Sequence, residues 1–122
     1  MTARRKSGAT PIIYKITPRA PWQEAERRRR YHGAPVDRED GFIHFSTAAQ
    51  VAETAAKHFA GRADLLLVAV DGRALGDKLK WEPSRGGALF PHLYGSLPMT
   101  AVRWVRAMPL VGTEHVIPIS EE

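Results

Sequence analysis

The chain contains no cysteine among its 122 residues, which excludes disulfide bonds, thiolate metal sites and a cysteine nucleophile. It also lacks any apolar run approaching the ~20 residues of a membrane-spanning helix. No apolar segment of signal-peptide length follows the basic N-terminus "MTARRKSGAT". These absences predict a cytoplasmic protein without a membrane partner.

Several motifs with a known chemistry are also missing. There is no G-x-S-x-G around either Ser46 or Ser96, no H-E-x-x-H, no Walker A loop and no G-x-G-x-x-G. His44, His92 and Glu82 have the residue types of a metal site, but they lie far apart in the sequence and form no ligand motif. The sequence therefore predicts no metal and neither of the common phosphate-binding loops.

Basic residues are in excess, with a formal net charge of +5 and an isoelectric point of about 10. Most of the excess lies within residues 1–38, in a basic tail and the run Arg27 to Arg30. A cationic run at the end of a helix is stabilised by the helix dipole while it stays solvated. We favour that interpretation, and binding of RNA or another polyanion is the alternative.

The length and the 43% hydrophobic content indicate one globular domain, residues 11–122, preceded by a flexible basic tail, residues 1–10. The predicted strands are "IIYKI", "GFIHF", "DLLLVAVDG", "KLKWEP", "AVRWVRAMPL" and an edge strand "HVIPIS". Helices are predicted over 21–33 and 47–61, with a polar connector at 34–40 and a long loop at 84–98. Two early helices and mostly late strands predict an α+β fold with mixed or mainly antiparallel sheets.

The second helix has the clearest local signals. Thr47 stands three positions before Gln50, the spacing of a capping box. Val51, Ala55 and Phe59 follow at a spacing of four and form one apolar stripe. "DLLLVAVDG" is too continuously apolar for a half-exposed strand, so we expect it at the centre of a sheet.

Polar residues interrupt the apolar pattern at four places, and these supply the candidate site residues. They are Tyr14 with Lys15, His44 with Ser46, Glu82, and His92 with Tyr94 in "FPHLYG". Strand alternation places Phe42 and His44 on one face and Ile43 and Phe45 on the other.

Three of the four interruptions also have a structural explanation. His44 suits a hydrogen-bonded core position, and Ser46 suits a helix N-cap. Glu82 suits a solvated strand end paired with Lys80 or Arg85, and "FPHLYG" suits a hydrophobic plug over the core.

Five segments together, "IYKI", "DGFIHFSTAAQV", "HFAGRADLLLVAVD", "KWE" and "FPHLYGSLPMTAV", resemble the bacterial family catalogued as domain of unknown function 952. The resemblance covers roughly residues 11–110. The fold of that family is similar to that of the ADP-ribosyltransferases, which use NAD. The resemblance therefore implies an ADP-ribosyltransferase-like fold and a nucleotide as the partner.

The resemblance further implies roles for individual residues. Lys15 corresponds to the polar residue on the first strand, His44 with Ser46 to the middle group, and Glu82 or the "FPHLYG" loop to the late group. Glu82 and His44 would be catalytic. The ligand-binding residues would be Tyr14, Lys15, Ser46, His92 and Tyr94.

NAD would be the substrate, with no tightly bound cofactor, and its nicotinamide–ribose bond would be cleaved. A non-catalytic module that binds a nucleotide or another small anion is the alternative.

Overall fold

The structure is a computed structural model that describes residues 11–119. The predicted tail, residues 1–10, lies outside the described residues. The described part of the chain contains ten strands and three α-helices, and all of its strand pairs are antiparallel. The predicted α+β class with antiparallel sheets is confirmed.

The elements follow in this order: β1 (Ile12–Pro18), α1 (Arg19–Arg28), β2 (Arg30–Tyr31), α2 (Pro35–Asp40), β3 (Ile43–His44), α3 (Val51–His58), β4 (Leu65–Asp71), β5 (Leu79–Pro83), β6 (Leu89–Leu93), β7 (Leu97–Pro98), β8 (Val102–Met108), β9 (Leu110–Val111) and β10 (Glu114–His115). Short 3-10 helices span Gly72–Lys78, Arg85–Gly87 and Met99–Ala101.

The first of two three-stranded sheets consists of β1, β4 and β8 and is called the core sheet below. Its central strand, β4, is buried from Leu65 to Val70, as predicted for "DLLLVAVDG". On one face Leu67 belongs to a cluster with Val51 and Ala55 of α3. On the other face Val68 belongs to a second cluster that includes parts of α1, β3 and β6. Each such side chain contributes ~1.5–3 kcal/mol by burial, so apolar packing on both faces stabilises this sheet.

The second three-stranded sheet consists of β6 at the centre with β3 and β5 at its sides, and is called the site sheet. Ile43 and Leu93 are opposite each other on β3 and β6, and both belong to the cluster that faces the core sheet. The two sheets are joined by an isolated bridge between Tyr14 and Ser46, whose two backbone hydrogen bonds are each 2.8 Å long. One face of the site sheet therefore packs inward, and the other can carry polar side chains.

Two shorter ladders complete the strand pairing: β2 pairs with β7, and β9 pairs with β10. Arg30 of β2 is opposite Pro98 of β7, which fixes the chain after α1 against the segment after β6. None of the helices within residues 11–119 has the length and apolarity needed to cross a bilayer.

One predicted helix is too long, and two predicted segments are wrong. The helix predicted over 21–33 ends at Arg28, because Arg29 is left-handed at φ 67° and Arg30 enters β2. The predicted connector at 34–40 contains α2, and the predicted loop at 84–98 contains β6 and β7. The glycine- and proline-rich composition of this segment predicts a loop, and proline rarely lies in a central strand. The structure accommodates Pro91 because β3 pairs with β6 over only two residues.

Two predicted boundaries also shift. Helix α3 begins at Val51 and not at Thr47, although the Thr47 backbone N–H donates to Oε1 of Gln50 at 3.0 Å, which is half of the predicted capping box. The predicted stripe is confirmed, with Val51 and Ala55 buried and Phe59 packed beside them. The predicted strand "HVIPIS" is wrong beyond His115, where β10 ends.

Candidate functional site

Histidines from two strands face each other on the outer side of the site sheet. His44 of β3 and His92 of β6 are paired in register, and their rings lie 5.5 Å apart at 69°. Across the next ladder His92 is opposite Lys80 of β5, and Glu82 follows two residues later on the same face. The short antiparallel ladders thus bring together side chains that are up to 48 residues apart in the sequence.

The aromatic ring of Phe42 organises this face. It stacks on His92 with a centroid distance of 4.1 Å and contacts the rings of His44 at 4.7 Å and Tyr94 at 5.1 Å. The predicted alternation of "GFIHF" explains the arrangement, because Phe42 and His44 lie on one face while Ile43 is buried on the other. The ring of Phe42 therefore packs against both histidine rings.

Glu82 connects the remaining polar groups of the face. Its Oε1 accepts a hydrogen bond from Nδ1 of His92 at 2.7 Å and another from the Tyr94 hydroxyl at 2.8 Å. The hydrogen bond from His92, and then that from Tyr94, lower the pKa of the Glu82 carboxyl. The carboxylate of Glu82 is thus held ionised and fixed in place, at a position that is 38% exposed.

Asp37 of α2 lies behind His44 and is nearly inaccessible, with 1% of its side chain exposed. Its Oδ1 accepts from the backbone N–H of His44 at 3.1 Å and from Nδ1 of the same residue at 2.6 Å. Nζ of Lys15 lies 3.1 Å from Oδ1 and 2.9 Å from Oδ2. The ring of His44 is therefore oriented by a buried carboxylate that is itself held by a buried ammonium group.

Local sequence explains why α2 presents Asp37 inward. The Ala34 backbone N–H donates to Oδ2 of Asp37 at 2.7 Å, so the side chain at the third helical position caps the helix. A Cβ at Gly33, where φ is 102°, would lie 2.8 Å from Cβ of Asp37. Gly41 then ends the helix in a left-handed conformation at φ 91°. The two glycines place a six-residue helix between β2 and β3.

Burial and charge act in opposite directions on the Lys15–Asp37 pair. Burial by itself would raise the pKa of Asp37, but the hydrogen bond from His44 and the charge of Lys15 outweigh it and lower that pKa to about 2. Burial lowers the pKa of Lys15, and the attraction of Asp37 opposes that change. Each member of this pair depends on the other for its charged state.

A second aspartate of α2 reaches the opposite nitrogen of the same ring. Oδ2 of Asp40 lies 3.0 Å from Nε2 of His44, in a contact at the surface. His44 thus has a carboxylate oxygen at each ring nitrogen. Its side chain remains 35% exposed.

The structure brings together most, but not all, of the predicted site residues. His44, Glu82, His92 and Tyr94 share the outer face of the site sheet, while Lys15 is buried behind it. Tyr14 lies on the opposite face of β1, where its ring contacts Trp104 at 5.9 Å. Ser46 is buried, with Oγ 3.0 Å from Oγ1 of Thr54, and it is not the N-cap of α3.

The structural alternatives for the same residues can also be compared with the geometry. Glu82 is hydrogen-bonded to His92 and Tyr94, and an ion pair with Lys80 is not formed in the described part of the chain. Most of "FPHLYG" lies in β6, where His92 is 5% exposed, so the segment is a strand and not a loop. Phe90 and Leu93 of the same segment are buried, as the alternative of a hydrophobic plug predicts.

Sequence reasoning missed Asp37 and Asp40. "PVDRED" looks like a solvated connector because six residues are too few to show a helical period. Pro35 at the first helical position, Asp37 at the third and Gly41 after the last are the signals that could have revealed α2. The burial of Asp37 has no such local signal, since it depends on Lys15 from β1.

Other features of the surface lie apart from this face. Within residues 11–119, no three His, Asp or Glu side chains are arranged to hold a metal ion. One cavity of about 320 Å³ lies between α3 and the β10 region, and another of about 180 Å³ lies beside Arg30 and Lys78. The larger cavity is lined by three alanines of α3 and by residues beyond that helix, and it contains none of the predicted site residues, so its size does not make it the functional site.

The arginine run shows the pairing expected of a solvated helix end. Arg27 and Arg28 both form ion pairs with Glu24, one turn earlier in α1. Both arginines lie in the last turn of the helix, where its dipole favours positive charge.

Comparisons with known proteins identify the family. A family model described as "Protein of unknown function (DUF952)" matches residues 16–105. The crystal structure of protein CC0527 from Caulobacter crescentus is 48% identical, with a TM-score of 0.82 over 85% of this chain and 91% of that one. The solution NMR structure of CC0527 has a TM-score of 0.77 at 48% identity, over 86% and 90% of the two chains. Comparison with curated proteins finds no match.

Proposed function

We propose that this protein, which belongs to the family of domain of unknown function 952, binds NAD on the outer face of its site sheet and cleaves the nicotinamide–ribose bond beside Glu82. The observation that carries the proposal is the ionised carboxylate of Glu82, fixed by His92 and Tyr94 next to a second histidine. The resemblance of the family to ADP-ribosyltransferases supports NAD as the ligand.

The reaction needs a stabilised cation and a nucleophile. The bond between C1′ of the ribose and the nicotinamide nitrogen breaks, and nicotinamide leaves as a neutral molecule with the bonding electrons. The ribose gains oxocarbenium character, which a fixed carboxylate stabilises, as in glycoside hydrolysis. An oxygen of water, or of an acceptor hydroxyl, forms the new bond to C1′ and releases its proton. The carboxylate of Glu82 would stabilise the positive charge that develops on the ribose. The exposed ring of Tyr94 would stack on an aromatic group of the ligand.

The histidines would contact the polar part of the ligand. His44 is partly exposed and oriented by Asp37, so it can donate to a ribose or phosphate oxygen. His92 is buried and engaged with Glu82, so its role is to position that carboxylate. Lys15 would act indirectly, because its ammonium group is buried against Asp37 and does not reach the surface.

The direct test combines binding with product analysis. The full chain is titrated with NAD, ADP-ribose and nicotinamide by calorimetry, and nicotinamide release from NAD is followed by chromatography. We expect Glu82→Gln to retain affinity and to lose turnover by about 100-fold or more, the usual effect of removing one transition-state group. Glu53→Gln, an exposed change on α3, is the matched control. Failure of all three compounds to bind at millimolar concentration would contradict the proposal.

A second candidate is a module that binds a nucleotide or another small anion without reaction. The partly exposed ring of His44, which Asp37 holds in place, favours it, since this ring is a possible donor to an oxyanion. The variant Glu82→Gln separates the two candidates, because a module that only binds has no turnover to lose. Binding of ADP-ribose without nicotinamide release from NAD would select this second function.

A further inference from the structure

Two aspartates of α2 contact one imidazole ring from opposite sides. Oδ1 of Asp37 lies 2.6 Å from Nδ1 of His44, and Oδ2 of Asp40 lies 3.0 Å from Nε2. A neutral imidazole has a single N–H, so it would direct a lone pair at one of these carboxylates. A ring that donates to both carboxylates carries a proton on each nitrogen, and its Nε2–H then faces Asp40.

The two carboxylates differ in how firmly they are held. Asp37 is 1% exposed and also accepts from Lys15, from the Ala34 N–H and from the His44 N–H. Asp40 is 45% exposed, and within residues 11–119 its one polar side-chain contact is with the His44 ring. An exposed ion pair contributes little to stability, whereas breaking a buried one is far more costly. A ligand can therefore replace the contact of Asp40 with His44 more easily than the contact of Asp37 with the same ring.

We propose that Asp40 is an internal substitute for an oxyanion of the ligand. When a phosphate or carboxylate oxygen binds, it takes the Nε2–H of His44 and displaces the Asp40 carboxylate, while Asp37 keeps the ring in place. A carboxylate and a phosphoryl oxygen are equivalent partners for a charged donor. For NAD or ADP-ribose the oxyanion would be the diphosphate, and in this respect the inference rests on the proposed function.

The proposal predicts opposite effects for the two aspartates. Asp40→Asn removes the competing carboxylate, so the affinity for the oxyanion should rise by about two- to fivefold, the equivalent of one exposed ion pair. Replacing Asp37 frees the ring and should lower the affinity. Glu39→Gln is the matched control, because it removes the same charge from the neighbouring position of α2.

Calorimetric titration of the full chain with ADP-ribose and with inorganic phosphate measures these effects. Tighter binding of either compound to Asp40→Asn, but not to Glu39→Gln, supports the displacement, and the compound that responds identifies the source of the oxyanion. Equal effects of the two variants would mean that only the general charge matters, and would overturn the proposal. Unchanged or weaker binding to Asp40→Asn, or no binding of either compound, would also overturn it. If phosphate binding responds while NAD does not bind, the proposed function alone fails.

A measurement without ligand tests the role of Asp37 separately. In ¹⁵N-labelled protein the Nδ1 proton of His44 should exchange slowly in the wild type and in Asp40→Asn, because Asp37 accepts it. The double variant Lys15→Met/Asp37→Asn, which leaves no unpaired buried charge, should lose that protection. Loss of the protected proton in Asp40→Asn, its retention in the double variant, or its absence from the wild type would contradict the assignment.

Discussion

The core sheet and the site sheet are both three-stranded and antiparallel, yet they are stabilised in different ways. The three strands of the core sheet are each seven residues long, and its centre is apolar on both faces. The strands of the site sheet are two to five residues long, and one face of that sheet carries two histidines and a glutamate. The long strands of the core sheet stabilise the fold by burying apolar side chains. The short strands of the site sheet can therefore carry polar side chains on one face, at fixed distances from one another.

Lys15 is the exception to this division. It belongs to β1 of the core sheet, but its ammonium group crosses to Asp37 and thereby supports His44 of the site sheet. Register explains the crossing, because Lys15 is opposite Val68 on the face of the core sheet directed toward β3 and β6. The ion pair between Lys15 and Asp37 is called the connection below. Substitutions can therefore be sorted by whether they act on the core sheet, on the site sheet or on the connection.

The largest expected effect comes from breaking the connection. Lys15→Met leaves the Asp37 carboxylate buried without its ammonium partner, which should lower the free energy of unfolding by about 3–5 kcal/mol. Urea denaturation measures the loss. The double variant Lys15→Met/Asp37→Asn should be more stable than the single one, since it leaves no unpaired charge. Equal losses in both variants would show that the packing of the lysine stem, and not its charge, is what matters.

Leu67→Ala should be nearly as destabilising but should affect the core sheet alone. The side chain of Leu67, on β4, is fully buried against α3, and removal of a buried leucine side chain costs about 2–5 kcal/mol. Ligand affinity of the folded fraction should be unchanged. Val111→Ala, at a position that is 65% exposed, is the control and should change stability by less than about 0.5 kcal/mol. Loss of affinity in folded Leu67→Ala protein would refute the independence of the two sheets.

Acid should weaken the connection without any substitution. The pKa of Asp37 falls from its ordinary 3.8 to about 2 in the folded protein, because His44 and Lys15 outweigh the effect of its burial. The folded state therefore binds this proton more weakly than the unfolded state does. The resulting stabilisation, about 2 kcal/mol, is fully present above pH 4 and is lost as the pH falls toward 2. Urea unfolding between pH 5 and 2 should show a smaller decline for Lys15→Met/Asp37→Asn than for the wild type; parallel curves would disprove this account.

The two sheets also differ in how far the sequence reveals them. The run of β4 and the stripe of α3 depend on local pattern, and both are predicted correctly. The segment that forms β6 is rich in glycine and proline, which predicts a loop, and the strand tolerates Pro91 because its pairing with β3 spans only two residues. Local sequence pattern is sufficient to predict a strand or helix that is buried along its whole length. It is insufficient to predict the short strands of the site sheet.

The same limit applies to the candidate site. Polar interruptions singled out His44, Glu82 and His92, which the structure places on one face. No local pattern marks the burial of Asp37, since that burial depends on a lysine 22 residues earlier. Nor could the sequence decide between Tyr14 and Lys15, which are adjacent and face opposite sides of β1; that choice is set by pairing with β4.

The smallest expected effect is confined to the exposed edge of the site sheet. Tyr94→Phe removes the hydroxyl that donates to Oε1 of Glu82, at a position that is 40% exposed, so stability should change little. The pKa of Glu82 is lowered by hydrogen bonds from His92 and then from Tyr94, so loss of the second should raise it toward, but not to, its ordinary value of 4.5. The carboxyl ¹³C shift of Glu82, followed against pH, measures this change. Tyr14→Phe, on the far side of the core sheet, is the control and should leave that titration unchanged. An unaltered Glu82 titration in Tyr94→Phe would mean that His92 alone holds the carboxylate ionised, and Tyr94 would then be available to contact the ligand through its hydroxyl as well as its ring.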